Sequence, residues 1–137
     1  YLVYHQAKVS QTRQNSLKIC IGIISKGGFQ PIRKTKLLEE MGIDEREGLE
    51  LLKLATHSKK LVRVSDDLHY NPKDIEKILG ILREFFKKNP DITVIQFKEL
   101  MNVSRKYAID LLEYFDRKRL TIREDNHRVP GKIFVKK

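Results

Sequence analysis

A register shift of 60 residues lays one half of this chain over the other. Leu37 falls on Phe97, Met41 on Met101, Ile43 on Val103 and Asp44 on Ser104. The match continues with Leu51 and Leu52 on Leu111 and Leu112, and with Ala55 on Phe115. Self-similarity at a fixed period means that one supersecondary unit occurs twice. A chain of 137 residues then divides into two small domains of about 65 to 70 residues, each large enough for a core of its own.

Within each copy the apolar spacing predicts helix, helix, helix, hairpin. In the first, a helix over about 7–25 is polar at its start and apolar over Leu17, Ile19, Cys20, Ile21, Ile23 and Ile24 before Gly27 and Gly28 stop it. A second helix covers about 32–41 and ends at Gly42. Asp44 caps a third that runs to about His57, and LVRVSDDLHY reads as a hairpin with a tight turn. YLVY at the start reads as a short strand, cut from a longer polypeptide.

The second copy opens at Asn71-Pro72, where proline suits the first turn of a helix that runs to about Lys88. Ile92, Thr93 and Val94 form an extended link, 95–101 a short helix and 103–120 the third helix. Residues 120–123 are expected as a strand, 124–126 as a turn, and Arg128-Val129 with Ile133-Phe134-Val135 as the returning wing. Three helices followed by a hairpin is the order of a winged helix. The expectation is a mainly α chain with small β-hairpins (α+β), two tandem winged-helix domains over 1–70 and 71–137.

Charge then separates the copies. The chain holds 28 Lys and Arg against 18 Asp and Glu, a formal +10, which steers and retains polyanions. Residues 71–137 carry +6 of it. The third helix of the first copy opens DERE, net −2, whereas that of the second opens SRKY, net +2. A helix N-terminus bears partial positive charge, so Arg105 and Lys106 sit there at a disadvantage that a phosphate or base edge would relieve. Ser104 is expected to cap this helix. Nucleic-acid binding is therefore assigned to the second copy and a spacer or docking role to the first. Tyr107 could stack on a flipped base, but its spacing to Leu111 favours core packing.

The stretch DITVIQFKELMNVSRKYAIDLLEYFDRKRLTIREDNHRV resembles the last winged-helix module of bacterial SelB, the selenocysteine-specific elongation factors. The likeness covers about 45 residues, through SRKYA, LLEYFDR, a Leu-Thr strand and a basic wing. GGFQP, LLEEMGI and LVRVSDDLHY are compatible with that family's penultimate module, and residues 1–5 would then close the module before it. DNHRVPGKIFVKK runs past the short wing ending expected for the family. The resemblance implies an arm that grips an mRNA hairpin, the selenocysteine insertion element. Its contacts would be Ser104, Arg105 and Lys106 on the third helix, with Arg128 and His127 on the wing. It also implies a full-length GTPase whose partners are GTP, selenocysteinyl-tRNA and the ribosome. A tandem winged-helix DNA-binding regulator is the alternative.

Other classes find little support in the residues. No GxxxxGK[ST] loop occurs, so this stretch is not expected to bind or hydrolyse GTP. His5, His57, His69 and His127 lack ligand spacing, and no metal or cofactor is expected. Cys20 lies on an apolar face with no partner base for catalysis, so it should pack as a small hydrophobe. No apolar run spans a membrane and no leader opens the chain, so a cytoplasmic monomer is expected.

Overall fold

The computed structural model describes residues 2–135, with the side chains of 13–132 and Phe134. It divides into two units, Tyr1–Pro72 and Lys73–Lys137.

In the first unit, α1 (Leu2–Lys26) is followed by α2 (Lys34–Met41), α3 (Glu45–His57) and the antiparallel hairpin β1 (Val62–Ser65) and β2 (Leu68–Tyr70). Leu2 to Tyr4 belong to α1, not to a strand, and Tyr1 lies outside the described residues. A four-residue apolar run carries no period of its own, and with no Gly or Pro before Gly22 the helix extends through it. Cys20, Ile24, Leu37, Leu52, Ala55 and Leu61 form the core. Burial pushes the Cys20 thiol up to about 11, which keeps it protonated and inert. Gly42 closes α2 in the left-handed region, φ 67°, where a side chain would be strained. The Asp44 carboxylate caps α3 by accepting from the Glu47 N–H at 2.8 Å.

The second unit repeats this plan. α4 (Pro72–Lys88) buries Ile75, Ile78 and Leu82, β3 (Ile92–Thr93) leads into α5 (Val94–Met101), and α6 (Arg105–Arg117) follows. Val94 starts α5 rather than ending a link, because Thr93 and Gln96 make a reciprocal capping box. β4 (Thr121–Glu124) and β5 (His127–Pro130) complete a sheet in the order β3-β5-β4. Phe97 and Phe115 meet edge to face in the core, with ring centroids 6.3 Å apart.

The expected strand over Ile133–Val135 is instead a short helix, α7 (Lys132–Val135). Pro130 cannot donate to a ladder, and at Gly131 the chain turns tightly under α6. A Cβ on Gly131 would run into the Arg119 carbonyl oxygen, and the Gly131 N–H donates to the Leu120 carbonyl at 2.9 Å. The Phe134 ring then packs 5.6 Å from that of Phe86.

The repeat is structural as well as sequential. α2 and α5, then α3 and α6, coincide end to end at the 60-residue shift. So do the left-handed residues Gly42 and Asn102, and Lys59 and Arg119. The hairpins then slip by one residue. The first carries one more between its left-handed lysine and its turn, and its ladder changes register between Arg63 and Ser65.

Candidate nucleic-acid interface

The first turns of α3 and α6 stand in the same place in their copies. α3 opens with Glu45 and Glu47 behind a carboxylate cap, whereas no acidic residue lies in the first turn of α6. Ser104 occupies the cap position of α6 with extended backbone, φ −73° and ψ 162°, but makes no side-chain cap bond. This corrects the expected cap. A rotatable hydroxyl can turn to another partner, whereas the Asp44 carboxylate has two oxygens to offer its helix end. Arg105 and Lys106 are both exposed, and among the described residues no ion pair engages either. Tyr107 is half-buried while Ala108, Leu111, Leu112 and Phe115 go fully inside. α6 thus presents free cations on a rigid apolar base.

The wing residues are placed differently from expectation. Arg128 lies on the central strand and is only 3% exposed. Its Nε and Nη2 both donate to Asp116 Oδ2, at 3.2 and 3.1 Å. The Thr121 hydroxyl donates to Asp116 Oδ1 at 2.6 Å. The guanidinium is therefore committed to α6 and does not face outward to meet RNA. His127 is partly exposed, with Nε2 3.7 Å from both Asp91 Oδ2 and Glu124 Oε1. Two carboxylates already face it, which disfavours a third anion there.

The outward-facing cations of this region are others. A cleft of about 700 Å³ at the carboxy-terminal end of α6 is lined by Lys118, Arg119, Arg123 and Lys132, with Leu120 and Ile122. All four cations are exposed. The run of cations from Arg117 onward marks this end of the sequence as basic but does not tell which of its members converge.

The first unit pairs several of its cations. Arg33 pairs with Asp67 at 3.2 Å, Lys34 with Glu45 at 3.4 Å, and Arg63 with Asp66. His69, cross-strand from Arg63 as Arg128 is from Arg123, is buried. Burial, aided by the Arg63 and Lys34 charges and opposed by Asp67, lowers its pKa to about 4, so the ring is neutral at pH 7.

Residues 84–129 match the family model of the elongation factor SelB winged helix. The carboxy-terminal unit is thus similar to the SelB winged helix over most of its length. Beyond that unit, the chain is 29% identical over 103 residues to the selenocysteine-specific elongation factor of Desulfomicrobium baculatum, covering 75% of this chain and 16% of that protein. It is 28% identical over 99 residues to the factor of Escherichia coli K12, covering 72% of this chain and again 16% of the relative. The chain thus spans about a sixth of the length of these curated SelB relatives.

Solved structures agree on the fold. The mRNA-binding domain of E. coli SelB, in complex with SECIS RNA, superimposes with a TM-score of 0.79 at 24% identity, over 88% of this chain and 97% of that one. A bacterial selenocysteine-specific elongation factor gives 0.70 at 29% identity, over 85% of this chain and 18% of that one. The two units therefore have the architecture of two tandem winged helices.

Proposed function

We propose that this chain is the mRNA-hairpin-binding arm of a selenocysteine-specific elongation factor. The observation that carries the reading is the difference in charge between the copies, net +2 over 104–107 against net −2 over 44–47, with Arg105 standing where α3 has Glu45. Two exposed cations at a positive helix end are relieved by an anion. An A-form stem hides its base edges in a narrow major groove, so the ligand surface is the backbone and the unpaired bases of the loop. Arg105 and Lys106 reach those groups, with Ser104 beside them. The E. coli domain of the same fold was solved with SECIS RNA, a ligand of this chemistry.

The first unit serves as spacer or docking module. GTP hydrolysis and contacts with selenocysteinyl-tRNA and the ribosome fall to other parts of the longer factor, which acts in the cytoplasm. The arm itself is a monomer without cofactor or catalytic residue. Titration against a selenocysteine-insertion hairpin, a scrambled RNA of equal length and a duplex DNA tests the reading. The hairpin is expected to bind tightest. Preference for the duplex would make the chain a DNA-binding regulator, and no binding to any of the three would remove the assignment.

A further inference from the structure

The cleft at the carboxy-terminal end of α6 lies a full helix away from Arg105 and Lys106. Thirteen residues separate those ends, about 20 Å at 1.5 Å per residue. A ligand held at the opening turn leaves the cleft free for something else.

Its electrostatics are one-sided. Lys118, Arg119, Arg123 and Lys132 surround it, and the carboxylate in its lining is Asp116. Asp116 is already occupied, accepting from Thr121 on one oxygen and from Arg128 on the other. Among the described residues no ion pair engages any of the four lining cations, and Lys118 only rests its ammonium 5.8 Å from the Tyr114 ring. Cations beside the last turn of a helix are favoured by its dipole whatever their purpose, which accounts for Lys118 and Arg119. It does not account for Arg123 on β4 or Lys132 on α7. In the first copy the arginine at the same cross-strand position, Arg63, closes onto Asp66. Glu124 and Asp125 lie just beyond Arg123 in sequence, yet Arg123 stays unpaired. The floor is apolar, and Ile122 is 50% exposed, a ledge on which the face of a base can rest. Phosphates on the rim and a base on the floor describe single-stranded nucleic acid better than a duplex, whose bases are stacked away.

We propose that this cleft is a second RNA contact, which takes an unpaired strand continuing from the hairpin. It rests on the RNA-arm reading above. Arg123 and Lys132 hold phosphates, and Ile122 supports a base.

The experiment compares the whole chain with its Arg123→Gln/Lys132→Gln variant on two RNAs, a minimal hairpin and the same hairpin with unpaired extensions on both sides. Thermal melting checks that the variant is folded. The unaltered chain should bind the extended RNA about tenfold tighter than the minimal one. The variant should lose that gain, keep its affinity for the minimal hairpin, and show a salt slope on the extended RNA lower by about 1.4, two single-strand contacts. Equal binding of both RNAs by the unaltered chain, or a variant that keeps the gain, overturns the proposal and leaves the arm reading standing. Failure of the unaltered chain to bind the minimal hairpin overturns both. Adsorption to phosphatidylserine vesicles that the variant loses, with its RNA gain intact, overturns it in favour of a lipid surface.

Discussion

A buried ion pair is a poor device for stability, because desolvation of two charges offsets most of their attraction, but losing one member leaves the other stranded. Arg128 is the buried member of an ion pair with Asp116, which is 21% exposed and also accepts from Thr121 on its other oxygen. Arg128→Ala is expected to lower unfolding stability by about 3 kcal/mol, and Asp116→Leu/Arg128→Met to recover more than half of that loss. Urea denaturation decides it; a double variant no better than the single would mean that packing of the arginine stem dominates. Arg128 looked like a wing cation in the sequence because its partner lies 12 residues away on another element. Only the strand register reveals which way it points. His69 makes a second residue-scale case. Its ring is neutral in the fold and has a pKa near the usual 6.5 when unfolded, so the unfolded chain binds the extra proton between about pH 6.5 and pH 4. Stability from this group is present above that window and lost as pH falls through it, by about 3 kcal/mol for a shift of this size. Denaturation of the wild type and His69→Gln at pH 7 and pH 4.5 should show a smaller acid loss in the variant. Parallel losses would place the acid sensitivity in the carboxylates.

At the scale of elements, α3 and α6 have equal lengths and the same place in their copies, so what differs between them is free to reflect use. Arg105→Ala in the opening turn of α6 should weaken hairpin binding by about 1 to 3 kcal/mol if the guanidinium reads a base, with a smaller loss on scrambled RNA. Equal losses on the two RNAs, measured by anisotropy, would reduce it to a phosphate contact. Most of the elements were legible in the sequence for physical reasons that can be named. α4 begins at Pro72 and stops before Asn89-Pro90, and its apolar residues recur at helical spacing. Asp44 announces α3, and the left-handed position at Gly42 ends α2. The failures share a cause. The runs over 2–4 and 133–135 are too short to show a period, so their state is decided by what they join, α1 in one case and the Gly131 turn with Phe86 in the other.

For the molecule as a whole, a formal +10 predicts that RNA affinity is governed by counterion release. If four phosphates are engaged, raising salt from about 50 to about 200 mM should cost about a hundredfold in binding. A flat response would rule out a phosphate grip at either end of α6. The two-unit plan was legible because a repeat exposes its own period. The contact proposed at the opening turn of α6 can be read from the sequence, where the copies differ in sign, and the proposed cleft cannot, because chain segments from α6, β4 and α7 converge there. One constraint reaches further than its size suggests. With Gly131 pressed against the backbone of Arg119 and Leu120, the hairpin is a noose drawn tight at its neck. Residues added at Asp125-Asn126 would lengthen the hairpin and leave the neck unchanged, so its reach can be retuned at the tip alone.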